Sequence, residues 1–238
     1  MNQTPRIGNF TSSEIWRLVK EGRAKGSRSV EFESYIAECN MERKAKRSIE
    51  QETTSHALQW GRLMEDYAFN KLGADYKRTG TDNAMAHPNY PYWVGSPDGT
   101  KYNLLLPEVA VEVKNPFTMK SFCTFANCTT IEDVRENHKD GEKYYWQAVS
   151  SACILGLDKA ELVIHCPYED ELLAIRAIAQ DCDDIATQKW MEYCCPEELP
   201  YLNREGVYKA LVRFTWDITK EIKDFLTSAV IEAGAKLI

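Results

Sequence analysis

The sequence predicts a mixed α/β fold, with a central mixed sheet flanked by helices. Three observations carry this expectation. Segments up to residue 72 repeat their apolar residues at helical spacing. From 75 to 115 the chain turns to Tyr, Val, Leu, Gly and Pro in short strand-like runs. A helix–strand–helix order follows. The 238 residues, 44% hydrophobic and 27% charged, are enough for a sizeable core. No repeat or long linker divides them, so one domain is expected over 1–238. It comprises an N-terminal helical segment (1–50), a core (53–167) and a C-terminal helical region (168–238).

The elements are read in order. TSSEIWRLVKEGRA (11–24) reads as a helix that Thr11 or Ser12 can cap, with Glu14 in its first turn and Ile15, Leu18 and Val19 on one face. Residues 29–50 form a charged amphipathic helix. In a third, over 53–72, Ala57, Trp60, Met64, Ala68 and Leu72 recur at helical spacing. PYWVGSPDG and LLLPEVAVEVKNP read as strands, with Gly99 as a turn signal. In VAVEVK, Val109, Val111 and Val113 share one face, and Ala110, Glu112 and Lys114 share the other. Residues 142–156 read as a helix ended by Gly156, 159–167 as a strand, and 181–193 and 217–234 as helices.

Composition excludes some classes. No run of about 18 apolar residues is present, so no membrane span is expected. The opening MNQTPRIGNF lacks the basic-then-apolar pattern of a secretory signal. The eight cysteines (39, 123, 128, 153, 166, 182, 194 and 195) form no CxxC pair and have no zinc spacing. They read as free thiols of a reducing cytoplasm, ahead of a poorly spaced iron–sulfur site. No Gly-rich phosphate loop favours a nucleotide-cofactor enzyme. Net charge is −7, but residues 1–30 carry Arg6, Arg17, Lys20, Arg23, Lys25 and Arg28 against Glu14 and Glu21. That segment is +4, so phosphate contacts are sought there first.

The chemistry centres on SPDG (96–99) and EVK (112–114). Glu112 and Lys114, two apart on a strand, point to one face, and a neighbouring strand can bring Asp98 beside them. Two carboxylates offer hard oxygen ligands to Mg²⁺, for which Mn²⁺ can substitute, and the Val113 carbonyl offers another. Such an ion suits phosphodiester hydrolysis, with Lys114 orienting water or stabilising developing charge. An isolated ExK is usually a salt bridge. SPDG followed by an apolar strand ending in EVKNP is a much narrower pattern. Ser13, near a helix start, is a natural anion position, and Gln147 shares a polar stripe with Tyr144 and Ser151. No histidine has ligand spacing, though His87 leads into SPDG.

These segments resemble the PD-(D/E)xK nuclease superfamily, and in particular its branch of phage lambda exonuclease and YqaJ-like viral recombinases (alkaline exonucleases). RIGNFTSSEI, GRLMED, SPDG, EVKNP and YYWQAVSSACILG follow that branch in order from residue 6 to about 167. The resemblance implies a restriction-endonuclease-like core. It implies Asp98, Glu112 and Glu65 around the metal, Lys114 as catalytic lysine and Gln147 beside the site. Arg6, Ser13 and Ser96 would lie near a terminal 5′-phosphate. It further implies 5′→3′ exonuclease action on duplex DNA ends, releasing 5′-mononucleotides and leaving 3′ single strands for annealing-type recombination. The setting implied is a bacterial or phage-infected cytoplasm, with a homotrimer and a single-strand annealing protein as partners. A superfamily endonuclease and a non-catalytic DNA-end-binding protein are the rivals. One departure stands out: Pro88 occupies a position where the lambda branch has an extra acid, and Asp82 is out of register. One-metal and two-metal chemistry both remain open.

Overall fold

The computed structural model describes residues 6–24, 26–50, 54–79 and 84–238. Lys25, Thr53 and Asp82 lie outside them. The central element is strand β6 (Leu106–Lys114), the longest of a five-stranded mixed sheet. β2 (Tyr76–Arg78) pairs antiparallel with β5 (Gly99–Asn103), and β5 pairs antiparallel with β6. β7 (Lys159–His165) runs parallel to β6 and antiparallel to β8 (Leu211–Asp217). A parallel β6–β7 pair needs a crossover, and helices α4 (Met119–Ala126), α5 (Ile131–Asn137) and α6 (Gly141–Leu155) supply it.

The alternation read in VAVEVK holds. Val111 and Val113 pack with Val163 against Ala68, Phe69 and Leu72 of α3 (His56–Phe69) and the turn after it. Ala110 joins Leu162, Ile164, Ala148, Val149 and Ala152 in the main core. Helix α3 therefore covers one sheet face and α6 the other. This double coverage explains why a strand carrying Glu and Lys is buried on both sides.

A second, three-stranded sheet joins β1 (Phe10–Thr11), β4 (Tyr90–Gly95) and β3 (Met85–His87) in the order β1-β4-β3. Here the expected helix over 11–24 is corrected. Phe10 and Thr11 pair in parallel with Trp93 and Val94, and the helix, α1, spans only Trp16–Val19. Burying Phe10 completely and binding the Ser12 hydroxyl to Ser150 Oγ at 2.8 Å fix this segment against the sheet. Thr11 and Ser12 therefore cap nothing. Gly99 is likewise no turn residue, for it opens β5.

Local capping sets most helix starts. Ser29 caps α2 (Val30–Ala45), and Ser55, Thr118, Thr130 and Thr219 cap α3, α4, α5 and α9 (Lys220–Gly234). Each accepts a backbone N–H three residues on. Gly156 ends α6 at φ +70°. The helix read over 181–193 begins only at Ile185, where Asp184 caps α8 (Ile185–Tyr193). Residues 181–184 form the turn after α7 (Leu172–Gln180), a helix that the periodicity did not resolve. β8, α4 and α5 were also unread. Helices α3, α7 and α8 bury Trp60, Met64, Ile175 and Met191 in a separate cluster. Ala57, expected on the apolar stripe of α3, is exposed. No helix among the described residues is long and apolar enough to cross a membrane. Five cysteines are buried, Cys123 and Cys182 are half-buried, and Cys195 is exposed; none is paired.

Gly99 tests how tightly SPDG is seated. A Cβ there would lie 2.3 Å from the Phe69 ring and 2.6 Å from the Lys77 carbonyl. Gly99→Ala is expected to lower stability by about 1–3 kcal/mol in urea unfolding, the usual cost of overpacking.

Candidate active site

Asp98 lies at the bend between β4 and β5. Its Oδ2 accepts the Val113 backbone N–H at 2.7 Å, beyond the last β5–β6 pair, Gly99–Val111. Its carbonyl accepts the Thr79 N–H at 3.0 Å. The Asp98 carboxylate thus replaces a strand partner, which fixes it against the C-terminal end of β6.

Glu112 has no exposed surface. A buried carboxylate is costly unless it is bonded, and α6 supplies the bonds. Gln147 Nε2 donates to Oε2 at 2.9 Å, Ser151 Oγ donates to Oε1 at 2.6 Å, and Lys114 Nζ stands 3.4 Å from Oε2. Burial, and then the nearby Asp98 charge, push the Glu112 carboxyl well above the usual carboxylate range, against the pull of Lys114 and Ser151. Burial alone would lower the pKa of Lys114. The Glu112 and Asp98 carboxylates outweigh it and keep the group an ammonium. The Tyr144 ring also faces Lys114, its centroid 5.6 Å from Nζ.

Glu65, on α3, approaches from the opposite face. Arg78 Nη2 donates to it at 2.9 Å and also pairs with Asp66. Burial and Asp98 raise the Glu65 pKa, and Arg78 and Lys114 offset them. Negative charge therefore accumulates around Asp98, as a cation site requires. Among the described residues no three His, Cys, Asp or Glu side chains are grouped so that they could hold a metal ion. A magnesium-type ion does not need such a group, since it keeps several waters and takes one or two carboxylates plus substrate phosphate. Asp98 and Glu65, which line the cleft, and the Val113 carbonyl have the donor chemistry such an ion takes, with Glu112 behind Gln147.

Arg6, Ser13, Ser96, Arg62, Glu65, Asp98 and Gln147 line one cleft of about 470 Å³. A recess of about 330 Å³, lined by Lys114, Val113 and Tyr144, shares Arg62, Glu65 and Asp98 with it. The structure thus brings every sequence-predicted site residue to this region except Glu112, which lies behind Gln147. Ser96 Oγ is buried without a hydrogen-bond partner, an orphan a ligand could satisfy. Ser13 is not at a helix start. It lies in the turn before α1, 3.2 Å from Thr11 Oγ1.

Other expectations are corrected. Arg17, Lys20 and Arg28 pair with Glu38, Glu31 and Glu232, which leaves Arg6 as the N-terminal cation lining the cleft. His87 stacks on Trp93 at 4.6 Å and lines neither cavity. Nor does Pro88, in the β3–β4 turn. Sequence reasoning missed Ser151 as a Glu112 donor, although its polar stripe on α6 was visible. It also missed Arg62, Arg78 and the Tyr144–Lys114 contact.

A family model described as a YqaJ-like viral recombinase domain matches residues 3–157. The fold is similar to that of an alkaline exonuclease from Laribacter hongkongensis, with a TM-score of 0.57 and 15% identity over 98% of this chain and 92% of that one. The same enzyme in complex with dAMP gives 0.55 and 16% over the same shares. A phage-related exonuclease from Haemophilus somnus 129PT gives 0.66 and 13%, over 96% of this chain and 92% of that one. No curated protein sequence matches significantly.

Ser151→Ala would strip a buried donor from Glu112. A stability loss of about 1–3 kcal/mol in urea unfolding is expected. No measurable loss would show that this hydrogen bond contributes nothing.

Proposed function

This chain belongs to the YqaJ-like viral recombinase family, and from that premise we propose that it is a divalent-metal-dependent DNA exonuclease acting on duplex ends. The observation that carries the reading is Glu112, a wholly buried carboxylate facing Lys114 near Asp98, one side chain behind the Gln147 that lines an open cleft. An ordinary strand salt bridge would be exposed and would need no glutamine and serine behind it. The solved structures of similar fold are those of an alkaline exonuclease, in one case in complex with dAMP, and of a phage-related exonuclease.

Asp98, Glu112 and Glu65 would hold Mg²⁺ or Mn²⁺, with the Val113 carbonyl. The ion would acidify the attacking water and neutralise charge on the scissile phosphate. Gln147 and Ser151 hold the Glu112 carboxylate in one orientation, as outer partners of a metal ligand do. The Lys114 ammonium, kept charged by its two acidic neighbours, orients the attacking water or stabilises the developing negative charge. Arg6, Ser13 and the unpartnered Ser96 hydroxyl would receive a terminal 5′-phosphate. With the 5′ end held there, hydrolysis would run 5′→3′, releasing 5′-mononucleotides and leaving a 3′ single strand.

Linear duplex labelled separately at each end, incubated with Mg²⁺, is expected to lose nucleotides from its 5′ ends. A closed circular duplex should survive. Lys114→Ala should cut at least about 100-fold more slowly while keeping its circular-dichroism spectrum. A fully active Lys114→Ala enzyme would sink the mechanism.

A separate comparison sets 5′-phosphorylated ends against 5′-hydroxyl ends. The phosphorylated ends should be digested faster, and Arg6→Ala should narrow the difference. Equal rates in the unaltered protein would remove the role given to Arg6, Ser13 and Ser96.

A further inference from the structure

The recess at Lys114 does not end there. Past Tyr144, Asn115 and Ser121 it opens into a groove of about 620 Å³ between the start of α4 and the α5–α6 turn. The two cavities share those side chains, so one channel runs from Ser96 and Arg6, past Asp98 and Lys114, to the far side of α4.

The charge along this channel changes sign. Around Asp98 it is acidic. In the groove Lys120 and Lys139 stand among neutral polar side chains, and Asp140 is the single acid lining it among the described residues. Lys139 is 85% exposed and only 3.9 Å from Asp140, a weak pair. Lys120 makes no ion pair among the described residues. Elsewhere on this −7 chain, many lysines are engaged by carboxylates, as Lys20, Lys71, Lys143, Lys159, Lys223 and Lys236 are. One unpaired and one weakly paired lysine, beside an acidic centre, mark a path for a polyanion.

The groove is a binding surface and not a second catalytic centre. Its Ser121–His138 pair, 3.0 Å apart, resembles a nucleophile with its base. The Asp140 backbone N–H, however, donates to His138 Nδ1. The ring proton therefore sits on Nε2 and points at Ser121, so this histidine cannot take the serine proton. Phe125 stacks on the ring at 4.0 Å, and Tyr144, itself 6.1 Å from Phe125, lies 5.8 Å from it.

We propose that this groove binds the phosphodiester backbone of the cleaved strand on the side of the scissile bond away from the terminal phosphate, with Lys120 and Lys139 contacting consecutive phosphates. The inference rests on the nuclease reading for its direction. Arg6 and Ser96 would hold the end, Arg62 lines both cavities where they meet at the cutting point, and the remainder of the same strand would continue past Tyr144.

The test titrates the full chain with a 5′-phosphorylated duplex end in EDTA, by fluorescence anisotropy across a salt series. Lys120→Ala/Lys139→Ala is compared with Lys220→Ala/Lys236→Ala, whose lysines lie outside the channel. The groove variant should lower the slope of log K against log salt by about 2, and weaken binding at low salt roughly tenfold or more. The comparison variant should not. An unchanged slope, or the same change in both variants, overturns the proposal. Parallel incubation of the unaltered protein with Mg²⁺ separates the two readings. Cutting without a groove effect discards the groove alone. Failure to cut discards the nuclease reading, and the salt slope still decides whether the groove binds DNA.

Discussion

The structure turns on a carboxylate that the fold would otherwise not tolerate. Glu112 sits with no exposed surface on a strand covered by helices on both faces. Three donors make that burial sustainable, and two of them, Gln147 and Ser151, stand one helical turn apart on α6. The helix that closes the main core is therefore also the helix that shapes the site. A hydrophobic residue in place of Glu112 would pack more cheaply. The expense makes sense for chemistry, not for stability.

Glu161 shows what a purely structural solution looks like. It lies on the adjacent strand, also buried, where Tyr76 donates at 2.8 Å and Thr215 at 3.3 Å. Arg213 backs the tyrosine. That network is closed and borders neither cavity. The site around Glu112 is instead open: Asp98 presses on it, Lys114 answers only in part, and a cleft lined by both acids and arginines lies alongside. Imbalance next to open space separates a site from a satisfied core pair.

Legibility in the sequence followed the range of the interaction. The two faces of VAVEVK, the end of α6 at Gly156 and the polar stripe through Tyr144, Gln147 and Ser151 are local patterns, and they were readable. Thr11 reads as a helix start because its strand partner, Val94, lies more than 80 residues away. β8 alternates Val212, Phe214 and Trp216 with Arg213, Thr215 and Asp217, a local strand pattern that the reading passed over. The run LLAIRAIAQ of α7 is too short and too apolar to declare its period. Arg78 meets Glu65 only through the packing of β2 on α3, which no spacing encodes. His87 stood close to SPDG in sequence, yet its ring is taken up by Trp93.

Helix α6 is held on two sides at once. Ser151 reaches into the large sheet, while its neighbour Ser150 joins Ser12 at 2.8 Å and Trp93 at 2.7 Å in the small one. Ala148, Ser150, Ser151 and Ala152 are all buried. The helix is thus clamped between two sheets by side chains too small to yield. A larger side chain at any of these four positions would have to push a sheet away from the helix, so the width of the slot that α6 fills is set by its smallest residues.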